Sequence, residues 1–494
     1  MPSGWLASCQ YGNFAVMQLL PRQISRRTIL RGSAGLLASS FFNRRGFASA
    51  SDGEVKASIV VGHDSIGTIE PEFCGLSYEK SLLAVPFFSK QNERAVGLFN
   101  RLGAGNLRIG GNSVDRTQWV ANGRGLTEGQ VAPPDVDALA GFLKATGWSV
   151  LYGVNMATST PALASAEIGY VSKALGNKLT GIEIGNEPDG YGGQYFNKEW
   201  DPATNVTRWQ QFADAILKQT PDVALTGPGI GILNHVNSWT ASFASAMAPQ
   251  TKQLRQLTQH YYRADGHSPS STMELLLKPD PNLAVAMKQL QSLSQRYRLP
   301  FRFTEVNSFY NGGAPGVSNA CGSALWALDF LFQLAAGGAA GANFQDGGNF
   351  TRGYTVISHR DATIYGPQPE YYGLLLFTLA GTGTMRAVNI SAEKANATAY
   401  AVENRNGTLN IVVINKDADR NLTATIQAGR AAHQASATLL TMPSLQSTEG
   451  IRIQGAIVGK DGSFSPHPPV NLKISDGGIF TTVNAGSAAL IQVS

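Results

Sequence analysis

The chain has 494 residues, 43% hydrophobic and 15% charged, with a formal net charge of +5. That composition supports a large buried core, enough for one big domain and a smaller companion, and excludes a disordered chain. The small charge, without a basic stripe interleaved with aromatics, excludes nucleic acid as a partner; three scattered cysteines and seven scattered histidines, without CxxC or HExxH spacing, imply no disulfide framework, no metal and no cofactor.

The N-terminus carries Ser25-Arg26-Arg27-Thr28-Ile29-Leu30-Arg31, an apolar stretch from Gly32 to Phe42, and then Ala48-Ser49-Ala50. Paired arginines before a short apolar run and small residues are the pattern of a twin-arginine export signal, so residues 1–50 are expected to direct export to the periplasm or beyond and to be cleaved. The run is about half of the roughly 20 residues that span a bilayer, and no membrane span is expected. The next strand, Lys56 to Val61 within 51–69, precedes the main domain and is expected to join a C-terminal sheet.

From 70 to 383, short apolar runs ending in polar residues alternate with longer amphipathic stretches. The runs are Phe73 to Ser77, Asn106 to Ile109, Ser149 to Val154, Gly181 to Ile184, Ala224 to Thr226, Gln256 to His260, Phe301 to Thr304 and Gly341 to Phe344. Eight such units predict an α/β fold, a (β/α)8 TIM barrel with its site at the C-terminal strand ends. After Leu374 to Phe377, the expected last barrel helix, residues 384–494 turn β-rich, as in Leu409 to Ile414, Ala437 to Leu440, Ile451 to Ile453 and Ala488 to Val493. A C-terminal β-sandwich domain is the expectation.

Two strands end on glutamates. In Gly181-Ile182-Glu183-Ile184-Gly185-Asn186-Glu187-Pro188 the strand stops at Glu187, where an unpaired buried carboxylate would cost several kcal/mol. A general acid has a reason to sit there, since partial burial raises its pKa and keeps its proton for a departing glycosidic oxygen. Asn186 is placed to hold a sugar 2-hydroxyl. Glu305, in Phe303-Thr304-Glu305-Val306, follows the seventh strand as Glu187 follows the fourth, so the two face each other across the barrel mouth. That placement fits the carboxylate spacing of about 5 to 5.5 Å used by retaining glycosidases. His260-Tyr261-Tyr262 ends strand six and can supply a phenolic hydroxyl to an ionised Glu305; Tyr261 is assigned to the site.

Asn186-Glu187-Pro188 with Thr304-Glu305 resembles the clan of barrel glycosidases that carry acid/base and nucleophile on strands four and seven. Leu107-Arg108-Ile109-Gly110-Gly111-Asn112, Gln259-His260-Tyr261-Tyr262 and Tyr310-Asn311-Gly312-Gly313, in that order between Gly75 and about Gly383, resemble segments of family 79 glycoside hydrolases, the β-glucuronidases and heparanase. The resemblance implies Glu187 as acid/base and Glu305 as nucleophile, with Glu79 and Asn112 on sugar hydroxyls. It further implies that Tyr310, the amides of Asn311 and Gly312, and Tyr354 receive a uronate carboxylate. Asn311 stands where the family has glycine, in a turn that calls for positive φ. The expected activity is a retaining exo-β-glucuronidase acting on a glucuronic-acid-containing glycan or glycoconjugate. A heparanase-like endo-enzyme would need basic residues at the rim, for which Arg263 and Arg352 are isolated candidates; a 4-O-methyl-glucuronidase, a neutral-sugar hydrolase of the clan and an inactive carbohydrate-binding barrel are the other readings.

Overall fold

The structure, a computed structural model, describes residues 53–347 and 353–494; the export segment and Arg352 fall outside them. Eight parallel strands close a barrel: Cys74–Glu79, Asn106–Gly110, Ser149–Val154, Leu179–Ile184, Leu225–Ile230, Leu254–Tyr262, Phe301–Asn307 and Ala342–Gln345. The ring closes where Ala342 pairs with Cys74 and Phe344 with Leu76. Each strand lies under the run expected to form it. Most are buried along nearly their whole length, because helices cover the outside and side chains fill the inside.

The covering helices start where the sequence signals a start. Those at Pro133–Thr146, Pro161–Leu175, Pro202–Gln219, Pro281–Tyr297 and Pro369–Leu379 open on proline, whose missing N–H is unneeded in a first turn. Thr160, Asp201 and Asp280 cap three of them by accepting from Leu163, Thr204 and Asn282 amides.

The barrel interior is polar and layered. At the lower level Arg302 donates to Asn343 Oδ1 at 2.6 Å and to the Ala340, Glu72 and Phe73 carbonyls, while Asn343 donates to the Asn106 carbonyl at 2.8 Å. Burial pulls the Arg302 pKa down to about 10, so its charge is held by carbonyl dipoles. The level above is built on Arg108 and opens into the site.

Residues beyond the barrel belong to one continuous eleven-stranded mixed sheet. Its strand Glu54–Ile69 pairs antiparallel with Gly383–Ser391 and parallel with Asn421–Gln427. Ile59, Val61, Ile411, Val413, Leu422, Ile426, Ile479 and Ile491 form its own core, so the sandwich is a single curled sheet. It is held to the barrel at Asp329 on helix Gly322–Ala336, which accepts from Lys416 at 2.5 Å, Tyr400 at 2.6 Å and Thr398 at 2.7 Å. Among the described residues no helix is long and apolar enough to cross a membrane.

Candidate active site

At the C-terminal end of the barrel a cavity of about 530 Å³ is lined by Glu79, Asn112, Glu187, Tyr262, Glu305, Tyr310, Asn311, Gln345 and Tyr354, among others. Beneath it lies Arg108, 0% exposed. An unpaired charge there would cost several kcal/mol, and the guanidinium is matched on every side. Nε donates to Glu183 Oε2 at 2.6 Å, Nη1 to Glu305 Oε2 at 2.8 Å and to Ser77 Oγ at 3.1 Å, and Nη2 to Asn186 Oδ1 at 2.8 Å. Burial lowers the Arg108 pKa, but Glu183 and Glu305 outweigh it and leave it raised. Glu183 is likewise pushed up by burial and pulled down further by Arg108 and His260, while Thr304 donates to its other oxygen.

Glu305 is thus fixed by two donors, Arg108 on Oε2 and Tyr262 on Oε1, the latter at 2.8 Å. Its neighbour across the mouth, Glu187, sits in a left-handed conformation (φ 49°, ψ 53°), which costs a non-glycine residue about 1 to 2 kcal/mol. The surroundings impose it. Glu187 N donates to the Gly229 carbonyl, Trp200 Nε1 donates to the Pro188 carbonyl, and Asp189 accepts from the Gly231 and Ile232 amides. Gly231 has no alternative, since a Cβ there would lie 2.7 to 2.8 Å from the Glu187 carboxylate. Asn186 is anchored from behind by Asp115, which accepts from its amide at 3.1 Å.

His260, 0% exposed, ties the two glutamates together. Nδ1 is 2.9 Å from Glu187 Oε1 and 4.0 Å from Glu305 Oε2, and Nε2 is 3.3 Å from Arg108 Nη2. A guanidinium can only donate, so Nε2 is the acceptor and Nδ1–H points at Glu187. An oxygen of Glu187, an oxygen of Glu305 and the His260 nitrogen all lie within 4.8 Å of one another. Among the described residues this is the one trio with metal-ligand spacing; a cation placed there would meet Arg108, already 2.8 Å from Glu305.

Several expected site residues converge on the cavity. Glu79, at the end of the first strand, accepts from the Asn112 and Ser113 amides at 3.1 and 2.7 Å. Burial raises its pKa against those two bonds. Gly111, just before them, has φ +74°, and a Cβ there would lie 2.5 Å from the Glu79 carboxyl. Asn112 also faces Asn186, with Oδ1 3.4 Å from Asn186 Nδ2. Asn311 keeps the left-handed turn with φ +61° and donates from Nδ2 to Asp265 Oδ1 at 3.0 Å, so asparagine serves where the family has glycine. Tyr354 packs 5.8 Å from the Tyr262 ring, its amide donating to the Gly312 carbonyl.

Two expectations are corrected. Tyr261 points outward: it is 2% exposed, donates to Asp280 at 3.0 Å and stacks on Phe330, because alternate residues of a strand face opposite sides and His260 and Tyr262 take the inner one. Gly312 holds the turn through its positive φ of 82° and its carbonyl, which accepts from Tyr354 N. Burial does push the Glu187 pKa up, yet the His260 hydrogen bond and the nearby Arg108 charge outweigh it, so the unliganded group stands below the usual carboxylate value. Arg108, Glu183 and Gln345 had no assigned role. A charged residue amid the apolar strands at 108 and 183 was the available signal.

No protein-family model matches the chain. It is 25% identical over 301 residues to a β-glucuronidase of Aspergillus niger, covering 54% of this chain and 54% of that protein. It is 26% identical over 255 residues to a β-glucuronidase of Neurospora crassa, covering 47% and 42%. The chain thus matches about half the length of these curated relatives. In structure it is similar to a 4-O-α-L-rhamnosyl-β-D-glucuronidase of Fusarium oxysporum, with a TM-score of 0.74 at 19% identity over 88% of this chain and 99% of that one.

Proposed function

We propose that this protein is a retaining exo-β-glucuronidase, releasing terminal β-linked glucuronic acid from a glycan or glycoconjugate, with Glu187 as acid/base and Glu305 as nucleophile. The observation that carries the reading is the glutamate pair, whose oxygens lie within 4.8 Å at the ends of strands four and seven. Inverting enzymes separate their carboxyls by about 6.5 to 9.5 Å to admit a water, and this gap favours direct attack. Glu305 Oε2 or Oε1, oriented by Arg108 and Tyr262, attacks the anomeric carbon while Glu187 gives its proton to the leaving oxygen. A water deprotonated by Glu187 then releases the sugar from Glu305.

The resting geometry favours the Glu187 carboxylate, the form needed for the second step. The first step needs the acid, and an anionic uronate beside the pair raises the Glu187 pKa by repulsion. Once Glu305 is esterified its charge is gone, and Glu187 is again favoured as base. Tyr310, Tyr354 and the Asn311 turn are proposed to receive the uronate, in keeping with the resemblance and with the similarity to β-glucuronidases. Gln345 Oε1, buried at the cavity without a partner, is an acceptor for a sugar hydroxyl. The exo reading is favoured over a heparanase-like one because Arg263, the basic residue at the wall, already has its charge paired with Asp280 at 2.6 Å.

Assaying an aryl β-glucuronide beside the aryl β-xyloside tests the proposal. Turnover of the glucuronide at least about 100-fold faster is expected, about 3 kcal/mol from the carboxylate contacts; faster xyloside turnover defeats the uronate, and no turnover of either defeats the enzyme. Export by the Arg26-Arg27 segment is proposed on the sequence pattern alone, and an Arg26→Lys, Arg27→Lys double variant retained inside the cell would support it.

A further inference from the structure

The cavity has two unlike ends. On one side of the glutamate pair stand Glu79, Asn112, Gln345 and Tyr354, which offer hydrogen-bonding groups, including the unpartnered Gln345 Oε1. On the Glu187 side, where a leaving group must depart, the wall is Gly231, Ile232, Leu233 and Ala264, with Asp189, Asn234, Arg263, Asp280 and Asn282 around it.

The two carboxylates at that end are already taken, and Arg263 is paired through its terminal nitrogens. Asp189 accepts from Gly231 N at 2.9 Å, Ile232 N at 3.0 Å and His235 Nδ1 at 3.0 Å. Asp280 accepts from Arg263 at 2.6 Å, Asn282 N at 2.9 Å and Tyr261 at 3.0 Å. The terminal nitrogens of Arg263 are held by Asp280 and the Pro279 carbonyl. What the segment turns to the cavity beside Glu187 is Ile232 and Leu233, with the side-chain amides of Asn234 and Asn282 in the same lining. Ile232 is 50% exposed although its backbone is clamped by Asp189, and Leu233 beside it is rooted in the barrel core. Helix Pro281–Tyr297 packs against the turn Leu233–His235 from behind. A half-exposed isoleucine beside the proton donor offers apolar area that a leaving group can cover.

We infer that the Gly231–Leu233 segment is a leaving-group subsite for an apolar aglycone, with Ile232 as its specificity-determining contact, so that the natural substrate is a glucuronide of a hydrophobic alcohol. The inference rests on the glucuronidase reading and narrows its substrate class. Asp189 is a positioning residue in this scheme: its two backbone bonds hold Ile232 at the wall and the turn that carries Glu187 in place.

Three glucuronides with primary alkoxide leaving groups test it: methyl, hexyl, and glucose linked through its 6-hydroxyl. The wild-type protein is expected to show kcat/KM for hexyl on the order of tenfold above methyl, and above the glucose conjugate. Ile232→Asn is expected to bring the hexyl-to-methyl ratio to within about twofold of unity, whereas Ile232→Leu keeps it on the order of tenfold. A glucose conjugate cleaved faster than the hexyl glucuronide, or a ratio unmoved by Ile232→Asn, overturns the subsite. Failure of the wild-type protein to cleave any of the three is a different result and overturns the glucuronidase reading on which the subsite rests.

Discussion

Replacing Glu370 by glutamine is expected to stabilise the protein at neutral and alkaline pH. Glu370 opens helix Pro369–Leu379, is 0% exposed, accepts from Asn307 Nδ2 at 3.2 Å on one oxygen and has no partner on the other. Burial, with Asp346 nearby, pushes its pKa from 4.5 up to about 8 despite the Asn307 bond. A carboxyl whose folded pKa is raised contributes its full share below the unfolded value. Between pH 4.5 and 8 the unfolded chain releases this proton and the folded one keeps it, so stability falls as pH rises through that window. At about 1.4 kcal/mol per pH unit the loss has a ceiling of about 5 kcal/mol. Glutamine keeps the acceptor for Asn307 and carries no proton to lose. Thermal melts of both proteins at pH 5, 6.5 and 8 are the assay, and the advantage of Glu370→Gln should widen with each step. Parallel curves, or an advantage that shrinks with pH, would refute the neutral buried acid.

Further outcomes follow from the bonds around the glutamates. Tyr262→Phe removes one of the two donors on Glu305 and should lower kcat by about 10² to 10³-fold, with KM changed far less, as steady-state kinetics will show. His260→Asn should raise the Glu187 pKa, because the histidine bond is what holds it down; the alkaline limb of the kcat/KM profile should then move to higher pH. Arg108→Leu strands Glu183 and Glu305 without their shared cation and should cost about 3 to 5 kcal/mol of stability, measurable as a lowered melting temperature, besides abolishing turnover.

The barrel was legible because parallel strands covered on both faces are short, nearly continuous apolar runs, and each is followed by a polar residue or a glycine at the mouth. Strand ends were less so. The fifth run was ended at Thr226, but the strand, Leu225–Ile230, continues through Pro228 and Gly229, and its pairing shifts between Pro228 and Ile230. The single curled sheet was read only as a sandwich, since which strands bond across its bends depends on contacts far apart in the chain, such as Glu54 with Asn421. Within the site, the Glu187 and Glu305 positions came from strand order. The exchange of Tyr261 for Tyr262 was decidable from alternation once His260 is set facing inward. The depressed Glu187 pKa was not decidable, because it depends on a bond from a strand two places around the barrel.

The central claim is that Glu305 forms the covalent bond and Glu187 handles the proton. Incubating Glu305→Gly with an aryl β-glucuronide and azide tests it in one product analysis. Azide filling the space left by the nucleophile should restore turnover and give the α-glucuronyl azide, while the same treatment of Glu187→Gly should give the β-azide. A β-azide from Glu305→Gly, or an α-azide from Glu187→Gly, would contradict the assignment.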